Sequence, residues 1–211
     1  MKRQEAIQKS QNQNAEERIL DESMRLFLER GYHGTSIDDI TQAAGLTKGA
    51  LYWHFKSKEA LLKRIIDEYE RRFLYGMIHA VEEVKGGALD KFEKYIRFNS
   101  AFAYYNRELC VSFATLSAEL LGSNGVGERR IRQIYGKYRK FLSDLVLDGK
   151  KEKIFRKDLD SNLAALVVMA LHDGILLHWS MNRRRIDGEA YVKVFKKILY
   201  HGLIKKEGPE S

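Results

Sequence analysis

The 211-residue chain is predicted to be all-α. Its one proline is Pro209, near the end, so nothing upstream forbids helix. No stretch sustains the period-two alternation of a strand, whereas apolar residues recur at spacings of three and four throughout. A chain of this length has enough apolar residues for one large core or two modest ones.

The first helix is expected to start near Asn14 as cap, with Glu17 three residues on, and to present Ile19, Leu20, Met24, Phe27 and Leu28 before Gly31 stops it. Ser36 caps a short second helix, Asp39 completes a capping box, and Ile37 and Ile40 face inward. Gly45 ends it, because a sharp helix-to-helix corner needs a residue tolerant of positive φ. Thr47 caps the third helix, which runs to about Phe55 with Leu51 and Phe55 on its inner side. Ser57 caps a long fourth helix that carries Leu61, Leu62, Ile65, Ile66, Tyr69, Phe73 and Met77 as far as Gly86-Gly87. Further helices follow at 88–105, 107–122, 126–149, 160–182 and 187–205, about nine in all. This divides the chain into a flexible polar tail (1–14), a helix-turn-helix domain (15–62), a larger helical domain (63–206) and a short tail (207–211).

Two short capped helices around a glycine corner make a helix-turn-helix, whose second helix lays its first turn in the major groove of duplex DNA. Lys48 can donate to guanine, and Gly49 and Ala50 let the backbone approach base edges and thymine methyls. Thr47 caps the helix and brings its hydroxyl and the adjoining amides to a phosphate. Tyr52, Trp53 and His54 are three polar-edged rings in succession, too many for the inner face of so short a helix, so at least two face outward toward phosphate oxygens. Thr35, Ser36 and Lys58 are expected to clamp the flanking strands. The ordinary alternative for each is a cap, a core contact or a solvated side chain.

Charge does not carry this reading in bulk. The chain has a net charge of +8, yet residues 1–60 hold nine basic and nine acidic residues. The local distribution supports it: from Ile40 to Lys58 the formal charges are Lys48, Lys56 and Lys58. The excess lies downstream, at Arg129-Arg130-Ile131-Arg132, 137–140, 150–157 and Arg183-Arg184-Arg185, as solvated surface or as a receiver for an anionic ligand such as a fatty acid or acyl-CoA.

Other functions are disfavoured. No Gly-rich phosphate loop, His-Glu-x-x-His, cysteine pair or Gly-x-Ser-x-Gly is present, so no enzyme, cofactor or metal is expected. His172 and His178 lie about 240° apart around a helix and cannot share a metal from one face. Cys110, the lone cysteine, sits among apolar residues as a buried, inert thiol. The polar start carries no secretion signal, and the greasiest run, 163–177, is interrupted by His172 and Asp173 and falls short of the ~20 residues a span requires. A cytoplasmic protein without a membrane span is expected.

Residues 18–62 resemble the amino-terminal domain of the TetR family of transcriptional regulators, through Ile19-Leu20-Asp21, Leu26-Phe27, Gly31-Tyr32, Thr35-Ser36-Ile37, Ile40, the run from Ala44 to Phe55, Lys58-Glu59 and Leu61. Glu22, Ser23 and Thr41 stand where the family often has alanine, departures that touch helix packing. The resemblance implies a homodimer that binds a palindromic double-stranded operator, usually a repressor released by a small-molecule effector held in the carboxy-terminal domain. Under that reading 63–206 is the ligand-binding and dimerisation domain. Phe98, Phe102, Tyr105, Phe113, Leu116, Met169, His172 and Trp179 are candidates to line the pocket, each also a candidate for ordinary core. His172 beside Asp173 is either a polar anchor for ligand, a hydrogen-bonded core histidine or a dimer contact. The helix around 163–179 is apolar nearly all round, so protein covers every side of it, and the last helix offers a matching stripe. Leu163, Val167, Gly174, His178, Tyr191, Phe195 and Leu199 either form a four-helix seam between two chains or complete one chain's core. The alternative to a DNA-binding regulator is a helical partner- or lipid-binding protein whose helix-turn-helix is only structural.

Overall fold

The computed structural model describes residues 2–182, 185 and 187–204, with side chains from Asn14 onward. The expected carboxy-terminal tail (207–211) and the cations Arg183 and Arg184 lie outside the described residues. The chain divides into two compact units: residues 1–69 with 108–131, and residues 70–107 with 132–211.

The first unit opens with α1 (Lys2–Arg30), which begins well before the expected cap at Asn14. Residues 2–13 contain neither proline nor glycine and are rich in Gln, Lys and Arg, all good helix formers, so nothing halts the helix there. α1 buries Ile19, Ser23, Leu26 and Phe27. The Ser23 hydroxyl donates to the Ile19 carbonyl at 2.5 Å, so this polar group is satisfied inside the helix.

α2 (Ile37–Ala44) starts at Ser36, whose side chain accepts from the Asp39 amide while Asp39 accepts from the Ser36 amide. It stops at Gly45, at φ +61, the left-handed conformation that a side chain resists. Arg18 of α1 donates to the Ala44 carbonyl left open at this end. α3 (Lys48–His54) begins at Thr47, which accepts from the Ala50 amide at 3.1 Å, and buries Leu51. α4 (Lys58–Tyr69) buries Leu61, Leu62, Ile65 and Ile66. Also in this unit is α7 (Arg107–Glu119, its first residue in the second unit), which buries Leu109, Cys110, Ser112, Phe113 and Leu116. Tyr69 stacks flat on Phe113 at 3.7 Å between centroids.

The fourth helix does not run unbroken to Gly86. A π-helical turn occupies Glu70–Tyr75, and α5 (Gly76–Glu82) follows. That turn begins where the chain passes from the first unit to the second.

The second unit contains α5, α6 (Ala88–Tyr105), most of α8 (Val126–Lys151), α9 (Ser161–Asn182) and α10 (Gly188–Leu203). Its core includes Met77, Phe92, Tyr95, Ile96, Phe102, Ile134, Tyr138, Leu142, Phe155, Val168, Phe195 and Leu199. Buried Glu70 is compensated by Lys137 at 2.7 Å.

α9 departs from expectation in two ways. At 22 residues it is, by length and composition, long and apolar enough to cross a membrane, since helix continues on both sides of the run 163–177. Nor is it covered all round within the chain: Leu163, Leu166, Val167, Leu171, Leu177 and Met181 are exposed, and a methyl placed on Gly174 would meet nothing.

Candidate nucleic-acid interface and ligand cavity

The outer face of α3 is built by its two ends. The Thr47 cap fixes the first turn and buried Leu51 and Phe55 hold the helix against the core, which turns Tyr52 and Trp53 outward at 51% and 71% exposure. Trp53 packs edge-on against His54 at 4.8 Å, so the two rings brace one another. Gly49 is exposed, and an added Cβ would meet only the Thr47 Oγ1 at 3.8 Å. Among the described residues nothing requires glycine here, although glycine costs a helix about 1 kcal/mol relative to alanine. Lys48 is exposed but not unopposed: Asp38 of α2 pairs with it at 2.6 Å. The acid-free stretch therefore does not amount to an acid-free surface, because α2 brings a carboxylate across the turn.

Two expected clamp residues are used internally. Thr35 is buried, and its hydroxyl donates to the Gly31 carbonyl at 2.8 Å and the Leu26 carbonyl at 3.3 Å. The Lys58 ammonium donates to the carbonyls of Tyr32 (2.8 Å) and Thr35 (2.9 Å) and lies 4.2 Å over the Tyr32 ring. Desolvation lowers its pKa. Lys58 is a strut that ties α4 to the turn before α2, with most of its donor capacity spent. Ser36 is exposed but engaged with Asp39. Glu119, which the sequence did not single out, braces the same turn, accepting the Tyr32 amide at 2.7 Å and the His33 amide at 2.8 Å. Its partner is 87 residues away along the chain, so no local pattern announces it.

Within the second unit a cavity of about 560 Å³ lies between α6, α9 and α10. Tyr104, Trp179, Tyr191 and Phe195 supply its rings, and Asn99, Ser100, His172, Asp187 and Glu189 its polar groups. Of the residues expected to line a pocket, His172 and Trp179 do. Phe98, Phe102, Tyr105, Phe113, Leu116 and Met169 do not: Phe102 and Met169 are core, Tyr105 points to solvent, Phe98 stacks on Phe102, and Phe113 and Leu116 are buried in the first unit. Tyr191 and Phe195, expected at a dimer seam or in one chain's core, line this cavity, and Leu199 of the same helix is buried. The sequence shows α10 to be apolar on more than one side without saying which side turns inward. The exposed apolar positions of α10 are Val194 and Ile198, while α9 leaves Leu163, Val167 and His178 open.

The cavity floor is a hydrogen-bonded chain. Asn99 Nδ2 donates to the Tyr95 carbonyl at 2.8 Å and faces the Met77 sulfur at 3.6 Å, which leaves Oδ1 to accept from the Tyr138 hydroxyl at 3.4 Å. The Tyr95 hydroxyl lies 2.6 Å from Tyr138 and 2.8 Å from His172 Nδ1. Burial pushes the Tyr95 phenol up and the His172 imidazole down to about 4, so both are neutral near pH 7.

The comparisons with known proteins agree with this architecture. Residues 19–65 match the family described as bacterial regulatory proteins, tetR family, and residues 90–203 match the BetI-type transcriptional repressor carboxy-terminal domain, more than half of the chain. The chain belongs to the TetR family. Among TetR-family relatives, it is 25% identical to the HTH-type transcriptional repressor DhaR of Mycobacterium sp. (strain GP1) over 181 residues, 86% of this chain and 90% of that one. The crystal structure of the MbdR regulator from Azoarcus sp. CIB superposes with a TM-score of 0.81 at 29% identity, covering 90% of this chain and all (100%) of that one. That of the transcriptional regulator FadR from Bacillus subtilis, in complex with stearoyl-CoA, superposes at 0.73 and 25% identity, covering 88% and 97%. The protein is a DNA-binding transcriptional repressor of the TetR type and not an enzyme. TetR regulators bind operator DNA, form dimers and take small-molecule effectors.

Proposed function

We propose that this chain is a cytoplasmic homodimeric repressor that holds a palindromic operator and is released from it when an apolar effector fills the cavity among α6, α9 and α10. The observation that carries the DNA half of this reading is the outer face of α3: two exposed rings behind a capped first turn in which glycine serves no internal purpose. Lys48 leaves Asp38 for a base edge, Ala50 touches beside it, and Tyr52, Trp53 and His54 reach phosphates. The Thr47 hydroxyl and the open first-turn amides of the helices that Thr47 and Ser36 cap meet the flanking strands. Thr35 and Lys58 act one step back, by holding the turn that α2 grows from.

Two recognition helices must lie roughly 34–36 Å apart to enter successive major grooves, so both copies dock only when the dimer sets that distance. The exposed apolar stripe of α9, at Leu163, Val167, Leu171 and Leu177, together with Val194 and Ile198 of α10, supports pairing through these helices. Gly174 lies open on α9, where close approach of a partner helix gives its missing side chain a use. The chain from α4 through the π turn into α5 is one of the covalent routes between cavity and DNA-binding unit. Effector and operator then oppose each other reciprocally, each favouring a different separation of the recognition helices.

The double variant Lys48→Ala/Tyr52→Ala tests the assignment. Both positions are exposed, so the variant should keep its circular dichroism spectrum and its dimeric sedimentation and lose binding to the intergenic DNA upstream of its own gene. Undiminished affinity for that DNA defeats the recognition-helix reading.

A further inference from the structure

The turn between α1 and α2 is gripped by two opposite charges, and one of them comes from outside the three helices of the motif. Gly31 follows α1 at φ +76, and the next two amides, of Tyr32 and His33, donate to a single carboxylate, Glu119, at 2.7 and 2.8 Å. Successive amides turned the same way make a concavity that takes an anion. On the same turn the carbonyls of Tyr32 and Thr35 accept from the Lys58 ammonium. An anion holds donors of the turn and a cation holds acceptors, so charged side chains satisfy backbone groups that no helix uses. Glu119 also acts on Lys58 through space, opposing the loss of charge that desolvation favours.

Two features show that the carboxylate is placed for this contact. Glu119 is the last residue of α7, at the negative end of the helix dipole, where an acid is unfavourable unless it finds donors of its own. The second feature is Gly31. A Cβ built on it would lie 3.1 Å from both oxygens of Glu119, in addition to the strain that a side chain meets at that φ. The residue after α1 therefore leaves room for the last residue of α7.

The turn governs the start of α2. Ser36, the cap of α2, follows Thr35 directly, and α2 packs against α3 and brings Asp38 to Lys48. A shift of the turn moves the first-turn amides of α2 and, with them, the neighbour of the lysine assigned to a base edge.

We propose that Glu119 is a positioning residue for operator recognition, its carboxylate filling the anion nest at 31–33 and fixing the angle at which α2, with α3 packed against it, meets the duplex. This rests on α3 being the recognition helix. Without the carboxylate the turn samples several arrangements, and apparent operator affinity falls with the fraction of molecules in the competent one. Phosphate contacts that carry no sequence information are spared.

The test compares full-length parent, Glu119→Ala and Glu119→Gln by fluorescence anisotropy, on the intergenic duplex upstream of the gene and on a random duplex of equal length. Glu119→Ala should bind the intergenic duplex about tenfold more weakly and the random duplex within about twofold of the parent. Formate, matched in ionic strength against chloride because salt weakens all DNA binding, should bring Glu119→Ala back to within about threefold of the parent in the same salt. Glu119→Gln is nearly isosteric, so its loss is readable even where Glu119→Ala lowers stability. It turns an N–H donor toward a backbone amide, and should lose several-fold in operator affinity and gain nothing from formate, since no space is vacated. A lowered urea midpoint with unchanged operator affinity in both variants, or a weakening of Glu119→Ala that formate does not relieve, overturns the proposal and leaves the recognition helix standing. A parent with no preference for the intergenic duplex overturns the recognition-helix reading together with the proposal.

Discussion

Lys58 shows how a residue type can be read correctly as polar and cationic and still be placed on the wrong side of the backbone. The sequence puts it at the first turn of a helix, where phosphate contacts are common; the structure gives it two carbonyls and a ring face within its own unit. Its loss should therefore register first in folding. Lys58→Ala should lower unfolding stability by about 2 kcal/mol, the scale of charged hydrogen bonds that leave carbonyls unpaired, as measured by urea denaturation without DNA. Operator affinity falling with no change in stability would instead return Lys58 to direct contact. His172 makes a second prediction. Its pKa is depressed from 6.5 to about 4, so the stability it contributes is present above pH 6.5 and is lost as pH falls toward 4. Asp173 works in the opposite sense: its carboxyl is pushed up to about 6 by apolar surroundings, so the folded state gains as pH falls from 6 toward 3.8. The residue keeps partial exposure, so solvent screening makes its contribution the smaller. Asp173→Asn should steepen the fall in Tm between pH 7 and 5 relative to the parent protein, and equal slopes in a thermal-melt series would contradict this.

Among the elements, α3 concentrates the tension between stability and function. Gly49→Leu should raise Tm, because leucine is a better helix former by nearly 1 kcal/mol and the position is open. The same change should block approach to base edges and cost operator binding about a hundredfold, read by fluorescence anisotropy. Thr47→Ala should cost about 1 kcal/mol by removing the 3.1 Å cap to Ala50, with Thr47→Ser restoring it. The caps of α2 and α3 were legible because capping is local chemistry within four residues. The π turn at Glu70–Tyr75 was not, since one extra residue in a helical register leaves no mark in composition. The start of α1 at Lys2 escaped for another reason: a cap-compatible Asn14 does not end a helix that good helix formers continue on both sides.

For the whole molecule, the pairing proposed through the apolar stripe of α9 and α10 is tested by the oligomeric state. Leu163→Glu/Val167→Glu, at positions 63% and 56% exposed, should leave each chain folded and convert the dimer to monomer in sedimentation velocity. Affinity for the full palindrome should then fall by about a hundredfold while half-site affinity persists, because the second half-site is no longer delivered by linkage. A double variant that remains dimeric would move the interface elsewhere. The net charge of +8 predicts little by itself, since basic side chains such as Lys137, Lys140, Lys151 and Arg156 pair with carboxylates within the chain.

The sequence by itself determined the helical class, the capped turn of the DNA-binding unit and that at least two of Tyr52, Trp53 and His54 turn outward, because all three follow from periodicity and short-range bonds; that the pair is Tyr52 and Trp53 came from the structure. Tertiary structure alone decided the rest. Which apolar face of α10 turned to a cavity, which cation became a strut, and how Asn99, Tyr138, Tyr95 and His172 joined into one hydrogen-bonded chain all depend on residues tens of positions apart. An apolar stripe records that a surface must be covered, and only packing says by what.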